Sequence, residues 1–322
     1  METKTAAIRD GYGKGLLNIA GDKDVVVLDA DLQDSTRSIQ FAEKYPERFF
    51  MMGISEADMI CTAAGLATCG KKPFASSFAC FLVGRGLDQI LVAVCYSNTN
   101  VKLVGSHAGL ATAEDGPTAQ CIIDISVMRT LPNMTVIVPA DSVQTEKAVE
   151  ALHKHIGPAY MRMARHPTTV FYDDSHAFEI GKGYVMKEGG DAAIIACGTM
   201  VEEAMKAADV LEKEGINASV VNMSTIKPID KELIIKYAKK TGAVVTAEDH
   251  NIIGGLGSAV QEALMDDETF VPVQKVAVRD RFAESGKKEE LYKKYGLSHD
   301  NIVAAVKKAL KTKRQYPQPL HQ

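Results

Sequence analysis

Phe49-Phe50-Met51-Met52-Gly53-Ile54-Ser55-Glu56-Ala57-Asp58-Met59 joins an apolar run of strand type to a run of helix type. The helical side continues as Met59-Ile60-Cys61-Thr62-Ala63-Ala64-Gly65-Leu66-Ala67, with almost no polar surface. Glu56 stands at the entrance of that helix. A carboxylate placed there is partly desolvated, and desolvation raises a carboxyl pKa toward the range where it shares a proton at neutral pH. The residue also reads as an acid at a helix start that complements the helix dipole.

The same alternation extends outward in both directions. Strand patterns at Val25 to Leu28, Phe49 to Met52, Phe74 to Ser76 and Val101 to Val104 alternate with helical patterns. The helices fall at Ala6 to Ile19, Ser38 to Lys44, from Glu56 onward, Val83 to Val94, and Asp141 to His153, the last capped by Asp141 or Ser142. A stretch of weaker periodicity from Arg165 to Glu188 contains Pro167, Asp173-Asp174 and Gly181-Lys182-Gly183. Beyond it, strands at Ala192 to Ala196, Ala218 to Asn222 and Ala243 to Thr246 alternate with helices at Met200 to Glu214, Ser258 to Met265 and Asn301 to Lys311. Repeated alternation predicts two α/β domains, each a mostly parallel sheet flanked by helices. The first spans residues 1–166 and the second 191–312, with a linker at 167–190 and a loose tail at 313–322. A length of 322 residues suits two domains.

Composition excludes several classes. With 46% hydrophobic and 24% charged residues and a net charge of −4, the chain has no dedicated nucleic-acid surface. The N-terminus lacks an apolar signal core, and no uninterrupted apolar run approaches the roughly 20 residues of a membrane span. A cytoplasmic protein away from the membrane is expected. Cys61, Cys69, Cys80, Cys95, Cys121 and Cys197 form no C-x-x-C pair and read as buried thiols in a reducing compartment. Gly11-Tyr12-Gly13-Lys14-Gly15 and Gly254-Gly255-Leu256-Gly257 lack the spacing of nucleotide-binding loops. The second suits a tight turn that lets a helix pack closely.

Six strings carry a resemblance: Gly53-Ile54-Ser55-Glu56, Phe74 through Phe81, Gly105-Ser106-His107-Ala108-Gly109, Glu114-Asp115-Gly116-Pro117-Thr118, Ile226-Lys227-Pro228-Ile229-Asp230 and Ala247-Glu248-Asp249-His250. In this order and spacing, from about Ala6 to Leu310, the chain resembles the pyrimidine-binding and C-terminal domains of transketolases. The resemblance implies thiamine diphosphate as cofactor, with Mg2+, and transfer of a two-carbon ketol unit between ketose and aldose phosphates. It implies that Glu56 hydrogen-bonds the aminopyrimidine N1′ and governs loss of the C2 proton. It sets Phe78 and Phe81 against the aminopyrimidine and Asp31 near the cofactor and the subunit contact. His107 and Asp115 match residues that hold substrate hydroxyls, with His107 near the reacting carbon. Arg9, Ser35 and Arg165 match a terminal phosphate site, which suits an arginine fork. On the residues alone, Phe78 and Phe81 also read as core, His107 as structural, Asp115 as a turn residue, Arg9 and Arg165 as surface ion pairs and Asp31 as a cap.

The chain also departs from the family pattern. Gly84 stands near the position of a third aromatic, and Ala119 where some relatives have histidine. The Gly-Asp-Gly…Asn string that holds diphosphate through Mg2+ does not occur. The resemblance therefore implies the small, C-terminal subunit of a split transketolase. Its partner would be an N-terminal subunit with the diphosphate-binding domain, and self-association would give an α2β2 assembly. The alternatives are the β subunit of a 2-oxo acid dehydrogenase E1 component, a xylulose-forming synthase, and, in another class, a non-catalytic dimeric binding protein. The identity of the donor and acceptor sugars stays open at this level.

Overall fold

The computed structural model describes residues 4–315. The chain begins with β1 (Thr5–Ala7), α1 (Ile8–Ile19), β2 (Val25–Asp29), α2 (Gln33–Thr36), α3 (Ile39–Lys44), β3 (Phe49–Met51) and α4 (Glu56–Thr68). It continues with β4 (Lys72–Phe78), α5 (Ala79–Gln89), β5 (Lys102–Ser106), α6 (Asp124–Thr130), β6 (Thr135–Ile137), α7 (Ser142–Lys154), β7 (Ala159–Arg162) and β8 (Pro167–Thr169). The later part comprises β9 (Tyr184–Lys187), β10 (Ala192–Ala196), α8 (Met200–Lys213), β11 (Ala218–Asn222), β12 (Thr225–Lys227) and α9 (Lys231–Thr241). It closes with β13 (Val244–Asn251), α10 (Leu256–Asp266), β14 (Val273–Val278), α11 (Lys288–Tyr295) and α12 (His299–Gln315).

Two mostly parallel sheets result, as the alternation predicts. One has the order β12-β6-β7-β5-β4-β2-β3 and the other β14-β13-β10-β11-β9, while β1 and β8 form a separate antiparallel pair. Strands β2, β10 and β11 are buried along their whole length, because helices cover both faces of a parallel sheet. That is why they read as near-continuous apolar runs rather than alternating ones. The two units are stitched together by β12, which follows β11 yet pairs antiparallel with β6 through Thr225↔Ile137 and Lys227↔Val136. Strand β9 lies in the stretch read as a linker and pairs antiparallel with β11.

Strands β2, β4 and β5 run parallel and end at Asp29, Phe78 and Ser106. Their carboxyl ends therefore face one side of the sheet, where α/β folds bind ligands. Glu56 arrives there from β3, and His107 from β5.

Three sequence expectations change. Helix α5 runs on without a break into a π-helical segment, Ile90–Tyr96. Together Ala79–Tyr96 form an 18-residue helix of mean hydropathy 1.5, long and apolar enough to cross a membrane by length and composition. Arg85 and Asp88 interrupt the apolar run in the sequence and concealed it. Only Cys95, Cys121 and Cys197 are buried; Cys61 and Cys69 are exposed and Cys80 half-buried. The outer face of α4 is apolar in composition, so its polarity did not betray its exposure. Helix α12 extends to Gln315, and Lys313 donates to the carbonyl of Thr241 at 2.7 Å, so the expected tail begins later. The remainder, 316–322, lies outside the described residues.

The glycines of α1 belong to helix packing. A Cβ on Gly11 would stand 1.9 Å from the carbonyl oxygen of Ser142, and one on Gly15 would stand 2.7 Å from Cβ of Val149, both in α7. Gly65 in α4 faces open space. Gly11→Ala is expected to destabilise the chain by about 1–3 kcal/mol through overpacking. Gly65→Ala should be neutral or stabilising by up to about 1 kcal/mol, from helix propensity. Urea unfolding of the two variants checks the contrast, and equal effects would refute the packing account.

Candidate active site

Glu56 is the first residue of α4, and it is 2% exposed. Its burial follows from the close approach of α5, where a Cβ on Gly86 would stand 2.2 Å from Cδ1 of Ile60. The sequence reading counted the burial of Glu56 and missed its partner. Arg85 Nη1 donates to both carboxylate oxygens, at 3.0 and 3.2 Å. The Arg85 side chain is half-exposed, and its guanidinium lies over the Phe81 ring, 4.2 Å from the centroid. Phe81 stacks with Phe78 at 5.6 Å, and Phe78 stacks with the His107 imidazole at 3.9 Å. A carboxylate, a guanidinium and three rings thus form one continuous row. It is a wall suited to a flat heteroaromatic group that also offers a hydrogen bond at its edge.

His107 adopts a left-handed backbone, φ 58°, and is 2% exposed. A residue is held there only when its surroundings over-determine it. Its carbonyl accepts from Thr112 Oγ1 at 2.6 Å, and its Nδ1 lies in a hydrogen bond 2.9 Å from Ser106 Oγ. Burial, followed by the charges of Arg9, Arg165 and His166, pushes the imidazole down to about 3, so the ring is neutral at physiological pH. A neutral imidazole can donate and accept hydrogen bonds, which suits sugar hydroxyls.

The cations that act on His107 also act on one another. Arg9 stands low relative to an ordinary guanidinium through burial and then the charge of Arg37, with Arg165 adding to it. Arg165 Nη1 donates to Asp115 Oδ1 at 2.9 Å and to the carbonyl of Thr112 at 3.2 Å. Arg9 Nη1 donates to the main-chain carbonyl of Ser35 at 2.9 Å. Arg9, Ser35, His107, Asp115 and Arg165 are therefore brought to one place, although Ser35 meets Arg9 through its backbone. Arg37 was not foreseen; its Nε donates to Asp10 at 2.8 Å. Arg37 itself ends α2 in a left-handed conformation, φ 72°.

Asp31 is exposed, with φ 63°, and the capping suggested for it belongs to Asp29. Asp29 is fully buried and accepts from the amide of Leu32 at 2.6 Å, Thr36 Oγ1 at 2.7 Å and Ser38 Oγ at 2.9 Å. Burial raises its carboxyl to about 6 despite these bonds. The loop that carries Asp31 and Ser35 is shaped by this residue. The sequence signal was present in Thr36 and Ser38, two short donors just downstream. Among the described residues, no group of three or more His, Cys, Asp or Glu side chains is placed to hold a metal ion.

Residues 4–169 match the pyrimidine-binding domain of transketolase and residues 181–302 match the transketolase C-terminal domain. The chain is 44% identical over 307 residues to a transketolase C-terminal section of Methanocaldococcus jannaschii, covering 94% of this chain and 96% of that protein. It is 43% identical over 299 residues to a 6-deoxy-6-sulfo-D-fructose transketolase subunit of a Clostridium species, covering 92% of each. A structure solved as "Split gene transketolase, inactive beta4 tetramer" superposes with a TM-score of 0.89 at 48% identity, covering 95% of this chain and 98% of that one.

The state of His107 gives a direct expectation. Its folded value lies below the ordinary 6.5, so between about 3 and 6.5 the unfolded chain binds more protons. His107 therefore makes the fold less stable as pH falls through that window. In an NMR titration, the His107 ring is expected to keep its neutral resonances from pH 8 to about pH 4.5. A midpoint near the ordinary value would refute the desolvated site.

Proposed function

Since the chain belongs to the transketolase family and is a transketolase-type subunit, we propose that it forms the pyrimidine-binding half of a two-subunit enzyme. That enzyme moves a two-carbon ketol unit between sugars that carry a terminal anion. The observation that carries this reading is the row from Glu56 through Phe81 and Phe78 to His107. Thiamine diphosphate, when bound, supplies the nucleophilic carbon that such a transfer requires. Glu56 would hold the edge of its aminopyrimidine, and Phe78 and Phe81 its face. The donor set fits, because a buried carboxylate beside an aromatic wall is what a neutral, hydrogen-bonding heterocycle needs. In this chain Arg85 pairs with the Glu56 carboxylate, and its side chain is half-exposed, so a bound heterocycle would have to displace it toward solvent.

The diphosphate and Mg2+ would be held mainly by the partner subunit. The mouth of the Glu56 site supports a partner there. Leu87, Leu91, Val92 and Tyr96 are 38%, 42%, 52% and 86% exposed along the helix that carries Arg85, and Ile54, two residues before Glu56, is 72% exposed. Apolar exposure of that kind marks a surface made to be covered. The same face serves self-association, and the proposed assembly is α2β2.

His107 and Asp115 would hold the hydroxyls of the sugar, His107 as a neutral ring near the reacting carbon. Arg9 and Arg165 would face its terminal anion, with Arg37 adding charge behind them. Ketose and aldose phosphates fit this cluster.

Glu56→Gln keeps the shape of the side chain and removes the carboxylate. In the complex with the partner, proton/deuterium exchange at the cofactor C2 is expected to slow by about 10²–10⁴-fold, the usual range for acid–base assistance. Exchange at the wild-type rate would make Glu56 a structural residue. Arg165→Ala tests the anion site. Loss of a charge-assisted hydrogen bond of about 1.5–3 kcal/mol should lower kcat/KM roughly 10–200-fold for a phosphorylated ketose. Hydroxypyruvate, which has no such phosphate, should lose much less. Equal losses would place the anion elsewhere.

A further inference from the structure

The loop between His107 and Asp115 has a second anchor, and it comes from the other domain. Gly109 has φ 78°, and after it Leu110–Asp115 form a short 3-10 turn. The first amides of such a turn have no partner within it. Here they meet Asp249, at the end of β13 in the C-terminal unit. Asp249 Oδ1 accepts from the amide of Leu110 at 2.8 Å, and Oδ2 accepts from the amide of Ala111 at 2.9 Å. Asp249 is 2% exposed and lies 139 residues from Leu110. A Cβ on Gly109 would stand 2.3 Å from Asp249 Oδ2, so only glycine admits the carboxylate.

The carboxylate is itself held from behind. Tyr292 OH donates to Asp249 Oδ2 at 2.9 Å and is hydrogen-bonded to Thr199 Oγ1 at 2.8 Å. The far end of the turn is fastened by the same unit. Ser285 Oγ donates to the carbonyl of Glu114 at 2.6 Å, and Gln120 Nε2 bridges the carbonyls of Ala113 and Glu284 at 3.0 Å each. Ala113 is left at φ 60°, a conformation that needs such support. His107 and Asp115 therefore sit at the two ends of a clamped segment.

We propose that the C-terminal domain acts in the reaction through Asp249, a positioning residue that sets His107 and Asp115 for the donor sugar without touching it. This rests on the transketolase reading of the site. Glu56 and Phe81 lie on other elements, and Phe78 meets the clamped segment only by stacking on the His107 ring, so loosening the clamp should leave cofactor activation largely intact. Displacement of a substrate-holding group by about 1 Å can cost roughly 10²-fold in rate.

The test is Asp249→Asn in the complex with the partner subunit. An amide can accept only one of the two backbone N–H groups and turns its own N–H toward the other. Three measurements are made: C2 proton/deuterium exchange, kcat and KM for a ketose phosphate, and the His107 ring resonances. Exchange should stay within about twofold of wild type, while kcat/KM falls roughly 10–100-fold, chiefly through KM, and the His107 resonances move. Unchanged donor kinetics and unchanged His107 resonances in the folded variant would overturn the proposal. So would exchange falling in step with donor turnover. If Asp249→Asn does not fold, Tyr292→Phe and Ser285→Ala together loosen the clamp more gently. They should lower kcat/KM by at least about threefold with exchange intact, and no change would overturn the proposal. If the wild-type complex shows no C2 exchange, the transketolase reading fails. The His107 resonances, read in the unreacted protein, then decide the clamp by themselves.

Discussion

Backbone amides that leave the carboxyl ends of these strands turn inward, away from water, and they have to be paired there. Buried carboxylates do this throughout the molecule. Asp29 takes the amide of Leu32, Asp141 those of Gln144, Phe171 and Tyr172, and Asp249 those of Leu110 and Ala111. Glu248 takes the amides of Leu256 and Gly257 at the start of α10, and Asp230 those of Leu233 and Gly183. All five carboxylates are at least nine-tenths buried. An ionised group in such a place is tolerated only when it is hydrogen-bonded, and an amide without it would be left unsatisfied. Each side therefore depends on the other. The result is a set of loops with fixed shape at the edge where the parallel strands end.

The site is built on that rigidity. Glu56, Phe81, Phe78 and His107 come from α4, α5, the end of β4 and the residue after β5, and their row is continuous because adjacent parallel strands deliver them side by side. The charged cluster at its end sets Arg9, Arg37 and Arg165 against Asp10, Glu114 and Asp115. At the other end, the row opens beside an uncovered apolar face. The two ends differ in kind, one lined by ion-paired side chains and the other by exposed apolar ones.

The row reads as one half of a site that a partner subunit would complete. This is consistent with a superposition that covers 98% of a split-gene transketolase subunit and with the pairing of two family domains in one chain. The C-terminal domain contributes none of the residues in the row, yet it holds the turn between His107 and Asp115. Its contribution is mechanical, transmitted through short hydrogen bonds between elements far apart in the chain.

Much of this was legible in the residues. Short apolar runs alternating with helical ones determine the α/β class, since a buried strand and an amphipathic helix differ in pattern over a few residues. The position of Glu56 at a strand-to-helix junction, the aromatic pair and the Gly-Ser-His turn are local too, and so is the resemblance they carry. What the pattern could not show depends on which elements become neighbours. Arg85 reaches Glu56 because α5 folds back on α4, 29 residues later. Asp29 rather than Asp31 shapes its loop because β2 ends at Asp29, inside the sheet, and leaves Asp31 beyond it and exposed. The helix read at Val83 to Val94 extends over Ala79–Tyr96, and its full apolar length was masked because Arg85 and Asp88 interrupt the run in the sequence. Asp249 meets Leu110 across 139 residues only because the two sheets pack with those ends together. Local pattern specifies the elements; long-range sheet order, set by burial, decides which side chains touch.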